Sequence, residues 1–229
     1  MFINELFYLT SMISKGNVRI SPEHVADVRQ RGLRYLSSLG FQHPFHSLTR
    51  AQQVTLPSID LLVEDARCSE DFFLDLPGRV VLEAAAAFID TGIAQNRWPV
   101  QKAQASNYFL RQELGNSHLF YSSKMVTIAQ DLIHTGSIRA TPFGPLKKLF
   151  HDANFSYCGR EDFSLWNNLL RQEARLHKDC SLHETAKSDE LWNAYSLARL
   201  RSIQWYSVPG YKLFEAQRKQ NIKALEQSH

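Results

Sequence analysis

Apolar residues recur along most of this chain at three- and four-residue intervals, the period of helices that turn one face to a core. The segment PEHVADVRQRGLRYLSSLG carries Val25, Val28, Leu33, Leu36 and Leu39 in that rhythm. Ser21 before it suits an N-cap and Gly40 after it a C-cap. SIDLLVEDARCSEDFFLDL reads as the next helix, entered at Ser58, with Pro57 expected to terminate whatever precedes it. RVVLEAAAAFIDTGIA follows and is apolar on nearly all faces, as a helix at the centre of a domain is. VQKAQASNYFLRQELG and SKMVTIAQDLIHTG repeat the amphipathic pattern, closed by Gly115 and Gly136. The turn ATPFGP leads into LKKLFHDANFSY, and EDFSLWNNLLRQEARLH then puts Phe163, Trp166, Leu169 and Leu170 on one face. DELWNAYSLARLRSIQWY and YKLFEAQRKQNIKALEQ complete the set, separated by Val208, Pro209 and Gly210.

Few alternating, β-branched segments compete with these helices, so the fold class is all-α. No repeat, low-complexity tract or linker divides the chain, which reads as a single multi-helix domain over 1–229, with helices in 1–56 as an N-terminal extension. At 229 residues, 44% of them hydrophobic, it can bury a sizeable core. The 26 basic and 23 acidic residues are interspersed, so no concentrated positive field recruits nucleic acid. Cys68, Cys158 and Cys180 show neither CxxC spacing nor a neighbouring zinc-ligand histidine, and are expected to be reduced. The opening MFINELFYLTSMISK has Glu5 within its apolar stretch and no small-residue cleavage site, so it does not read as a signal peptide. The longest apolar run, Leu82 to Ile89, is far short of the ~18 residues that span a bilayer, and a cytoplasmic location is expected.

No GxSxG elbow, P-loop or dinucleotide fingerprint occurs, and no cysteine stands in a catalytic signature. The last third of the chain carries a more particular order of residues. A proline turn, basic helix, aspartate-alanine pair and tyrosine-x-glycine-arginine run through TPFGPLKKLFHDANFSYCGREDF. LLRQE follows, and then QWYSVPGYKLFEAQRKQNIKAL, an aromatic residue ahead of a lysine-rich closing helix. In this order and spacing the chain resembles a group of HD-superfamily phosphohydrolases, over about its last third closely and its middle third more loosely.

The resemblance implies an HD-like helical bundle and aligns AAAAFIDTGI with the segment that holds the family's histidine-aspartate pair. Asp90 matches the aspartate, and Ile89 stands where the histidine should be. IDLLVEDA aligns with an earlier ligand motif and puts Ile59 at another metal-ligand histidine. Asp152 of HDAN matches the last ligand, while Gly159, Arg160, Arg171 and Glu173 also stand in family positions. In the family, two imidazoles and two carboxylates hold a divalent metal that orients a phosphate ester and activates water. Isoleucine has no lone pair, so the resemblance implies a degenerate metal site and no resident cofactor. Apolar side chains at these two positions would pack where an ion and its waters sit in the family. The family's downstream histidine-glutamate pair is absent, Gln101, Lys102, Ala103 and Gln104 occupying its place. Lys102 and Arg160 are candidate phosphate contacts.

Each of these residues also has a purely structural reading. Asp90 is expected to be paired or hydrogen-bonded, most simply as a cap for a helix starting near Thr91 to Ile93. Asp152 has Arg160 and His151 as candidate partners. His134, near a helix end and in the neighbourhood of a histidine used by two-metal relatives, is a weak metal candidate and suits the negative end of its helix. His43 and His46 are candidate replacement ligands, but Pro44 works against a helical i, i+3 pairing. Lys212, Arg218, Lys219 and Lys223 of the closing helix read as a solvated face.

The expected function is therefore that of a catalytically inactive or remodelled relative, acting by binding a partner protein or a phosphorylated small molecule such as a nucleotide. The alternative is a metal-dependent phosphohydrolase that recruits unorthodox ligands around Asp90 and Asp152, from His43, His46, His134 or His151. A third reading, a structural subunit of an oligomer or larger assembly, rests on the aromatic-rich stretches MFINELFYL and SIQWYSVPGYKLF.

Overall fold

Ser21 and His24 exchange hydrogen bonds at the entry to the first described helix. The Ser21 N–H donates to His24 Nδ1 at 3.1 Å and the His24 N–H to the Ser21 carbonyl at 3.0 Å. This does the work of a capping box with an imidazole in place of the usual carboxylate, and it opens α1 (Pro22–Ser38). A computed structural model describes residues 20–38, 43–68, 74–93, 102–115, 123–138 and 140–227 of the chain. Gly40 and MFINELFYL lie outside the described residues, as does the side chain of Cys68.

The helices continue as α2 (Leu48–Arg50), a π-helical segment (Ala51–Thr55), α3 (Leu56–Cys68), α4 (Leu76–Phe88), α5 (Lys102–Gly115) and α6 (Ser123–His134). The second half holds α7 (Pro145–Phe155), a 3-10 turn (Ser156–Gly159), α8 (Phe163–Leu176), α9 (His183–Lys187), α10 (Asp189–Ser202) and α11 (Val208–Gln227). Among the described residues there is no strand, and the fold is all-α. None of the described helices is long and apolar enough to cross a membrane.

Pro57 does not end a helix as expected. The chain passes through it, because the preceding turn is widened: the Leu56 N–H reaches the Ala51 carbonyl five residues back. In a regular α-helix the Pro57 ring would meet the carbonyl four residues earlier. The π turn relieves that clash and leaves Arg50 at its leading edge. α4 likewise starts earlier than the apolar pattern suggests, because the Asp75 carboxylate accepts from the Gly78 N–H at 2.8 Å and caps it. α10 stops at Ser202, short of the expected Tyr206, and α9 was not foreseen.

α4 is the axis of the larger core, with every residue from Val80 to Phe88 buried. Its alanine run is thin enough for α1, α5, α6 and α7 to pack around it. A second core forms around Phe45, Tyr157, Trp166, Trp192 and Leu200, joining α8 and α10 to the 3-10 turn. Trp205 packs against both. Cys158 and Cys180 are free thiols buried in the second core. The charged groups described next lie where elements of the two cores meet.

Candidate functional site: a buried charge centre

Asp90 sits in the turn that follows α4 and is fully buried. A carboxylate so placed needs partners, and it has two cations. The Arg50 guanidinium pairs with one oxygen, and Lys102 Nζ stands 3.0 Å from the other. Arg50 Nη2 also donates to the Asn154 carbonyl at 2.7 Å and to Asn154 Oδ1 at 2.8 Å. Its guanidinium lies 4.8 Å from the centre of the Phe45 ring. Burial works against ionisation of Asp90, but Arg50 and then Lys102 outweigh it and hold the carboxyl well below the usual range. For Lys102 burial wins over Asp90, with the nearby Arg50 charge adding to it, and its pKa is pushed down.

Gly92 makes this meeting possible. A Cβ there would overlap the Lys102 carbonyl and stand 2.7 Å from the Ser106 nitrogen, so only hydrogen lets the first turn of α5 lie against the Asp90 turn. Ser106 Oγ fixes the approach, accepting from the Gly92 N–H at 2.9 Å and donating to the Ile89 carbonyl at 2.9 Å.

Glu173, from α8, gathers the loop that precedes Arg50. One of its oxygens accepts from the Phe45 and His46 N–H groups, each at 2.9 Å, and the other accepts from His46 Nδ1 at 2.5 Å. His43 Nδ1 lies 3.8 Å from the same carboxylate, and its ring stacks on His177 with centroids 4.5 Å apart and planes 6° from parallel. Burial opposes the Glu173 charge, but the His46 and His43 rings and the His46 amide hold the carboxyl far below its ordinary range. His43 and His46 therefore do come together, on a carboxylate from a distant helix and not through helical spacing.

His46 is pushed down to about 4, first by burial and then by the Lys102 charge, against the pull of Glu173 and Asp90. The unfolded chain, with an ordinary imidazole near 6.5, then takes up this proton before the folded one does. Folding stability should therefore fall as pH drops from 6.5 towards 4, by about 3 kcal/mol from this group. Urea unfolding of the wild type and of His46→Gln at pH 7 and pH 4.5 checks this. The variant should lose much less stability over the interval, and equal losses would remove His46 as the cause.

The remaining residues singled out from the sequence are dispersed. Ile59 and Ile89 belong to the larger core, both essentially inaccessible to solvent. Asp152, fully buried on α7, accepts from the Tyr206 N–H at 3.0 Å, the Ser207 N–H at 2.8 Å and Ser207 Oγ at 2.6 Å. It thus holds the chain entering α11. Its expected partner Arg160 instead makes a two-pronged pair with Asp162, at 2.8 and 3.0 Å, and has no contact with Asp152. The other expected partner, His151, has Nδ1 3.6 Å from Asp152 and packs its ring on Phe155 and Tyr206. His134 is exposed in the last turn of α6, its Nε2 2.9 Å from Asn107 Nδ2. The Asp90 oxygens face Arg50 and Lys102. Of the helix expected to start near Thr91 to Ile93, Thr91 and Gly92 form a turn, Ile93 is 3-10 helical, and residues 94–100 lie outside the described residues.

Asp90 and Asp152 therefore share no partner, and the four-ligand set of the resembling family does not fit these residues. Among the described residues, no three His, Cys, Asp or Glu side chains are grouped to hold a cation. Arg50 and Asn154, which complete the centre, were missed because their contacts join residues 40 and 104 positions apart. The proline-driven π turn was the local signal beside Arg50, as such turns concentrate at functional sites. Comparison with family models, characterised proteins and solved structures finds no match to this chain.

Proposed function

We propose that this protein is a non-hydrolytic relative of the HD-superfamily phosphohydrolases that acts by binding, with a partner protein as its ligand. The observation that carries the reading is the identity of the cations at Asp90: they are Arg50 and Lys102, side chains of the chain itself. A guanidinium and an ammonium neutralise a carboxylate as a metal does, but they offer no open coordination position at which water is activated. Asp152, the other carboxylate in a ligand position, is committed to the backbone before α11. Burying Ile59 and Ile89 in the core is consistent with the same loss.

A partner protein is preferred to a phosphorylated small molecule because the centre is balanced in charge. Arg50 and Lys102 are matched by Asp90 and Glu173, with His46 neutral, so little positive potential is left over for a phosphate. Elemental analysis of the full chain after incubation with manganese, iron, cobalt, nickel or zinc and desalting tests the reading. It is run beside assays with p-nitrophenyl phosphate and nucleoside triphosphates. Metal content far below one per chain and no turnover are expected. Stoichiometric metal with turnover abolished in Asp152→Ala would establish instead the phosphohydrolase with unorthodox ligands.

A further inference from the structure

Away from the charge centre, α8, α10 and α11 enclose a cleft of about 430 Å³, within the range of small-ligand sites. Its walls are rich in side-chain amides: Asn167 and Asn168 from α8, Asn193 from α10 and Asn221 from α11. Two of these hold the walls in place. Asn167 Oδ1 accepts from Ser196 Oγ at 3.0 Å, joining α8 to α10. Asn221 Nδ2 donates to the Cys158 and Arg160 carbonyls at 3.0 and 2.9 Å, and its oxygen accepts from Gln217, so α11 is tied to the turn before α8. Asn168 and Asn193, and the Asn167 amide nitrogen, have no hydrogen-bond partner among the described residues.

We propose that this cleft binds an extended peptide segment of neutral sequence, its main-chain amides pairing with the carboxamides of Asn168 and Asn193. A carboxamide carries an acceptor and two donors in one plane and so answers the N–H and C=O of a peptide unit together. The other chemistry of the cleft disfavours charged or stacked ligands. Arg171, the cation on its wall, is engaged by the Ala186 carbonyl at 2.8 Å and Asp189 at 2.6 Å, and Glu161 adds negative charge. Trp192 and Phe163 line the cleft but are 2% and 5% exposed, leaving no ring face on which a nucleobase would stack. Ala224 and Leu225 from α11 line the cleft and offer apolar contact to a side chain of the bound segment. The inference stands apart from the Asp90 centre and would survive a demonstration of hydrolysis there.

The test is selection by the full-length protein from phage-displayed decapeptides free of Lys, Arg, Asp and Glu. The selected peptides are then titrated into the wild type and Asn168→Ala/Asn193→Ala. Both asparagines are outside the core and unpaired, so the variant should keep its thermal midpoint, measured alongside. Affinity is expected to fall at least tenfold in the variant, and to fall likewise when the central main-chain amides of the peptide are N-methylated. The proposal is overturned if no peptide is enriched, if the variant binds equally well, or if N-methylation has no effect. Equilibrium dialysis with AMP and GMP is the remaining arm: asparagine-dependent nucleotide binding without peptide binding would also overturn it.

Discussion

Asp90→Ala should destabilise the folded protein by about 3–5 kcal/mol, the range for removing one member of a buried ion pair. Arg50 would remain buried, with Asn154 for hydrogen bonding but without the carboxylate paired to it. Lys102 would stay nearby as a second positive charge, turning an attractive triad into a repelling pair. Lys102→Met should cost far less, because its side chain reaches solvent and Asp90 keeps Arg50. The more discriminating variant is Arg50→Met/Asp90→Leu, which removes both charges and fills the space with apolar groups. It should be more stable than Asp90→Ala, as buried ion pairs can be replaced by well-packed hydrophobic residues at little cost. Urea unfolding of Arg50→Met, Asp90→Leu and the double variant measures the coupling. Strictly additive losses would mean that Arg50 and Asp90 do not act as a pair, and would remove the central support for the binding reading.

Helices were legible in this chain wherever one face supplies the apolar stripe. The segments around Val28, Met125, Trp166 and Phe214 needed only the period of the side chains to be placed. The core role of the alanine-rich segment was legible too, since a helix apolar on nearly all sides has nowhere else to go, and its one buried carboxylate, Glu83, is paired by Arg29 and Arg79. Boundaries were less so, because they depend on single contacts. Asp75 starts α4 before its apolar run begins, and Pro57 is absorbed because the turn ahead of it can widen. The centre was half legible. Asp90 inside an apolar run announced a buried charge that must be paired, but a partner 40 residues away leaves no trace in local spacing. Local spacing gives His43 and His46 no way to meet, because Pro44 between them works against a helical i, i+3 pair. Glu173 joins them from α8, 127 residues beyond His46, a meeting set by the packing of the second core.

Asp152 makes the sharper division between a structural carboxylate and a ligand. Its two oxygens receive two backbone N–H groups and a hydroxyl, all from Tyr206 and Ser207. Ser207 Oγ in turn accepts from the Gly210 N–H at 3.0 Å and caps the first turn of α11. Gly210 is required here, since a Cβ would stand 2.7 Å from the Asp152 carboxyl carbon. Asp152→Ala removes the acceptor for all three donors and should cost about 3 kcal/mol or more, a buried unpaired N–H alone costing 1–3. Asp152→Asn keeps the volume but turns an acceptor into an NH2 facing either Tyr206 or Ser207, so it should recover only part of the loss. Amide exchange at Tyr206, Ser207 and Gly210 should accelerate in both variants without comparable change at the Asp75 cap of α4, because the injury is local to the α11 entry. Adding divalent metal should leave wild-type unfolding unchanged. A metal-ligand role for Asp152 predicts the reverse: a wild type stabilised by metal, and an Asp152→Ala variant that loses this response while the α11 entry keeps its exchange protection.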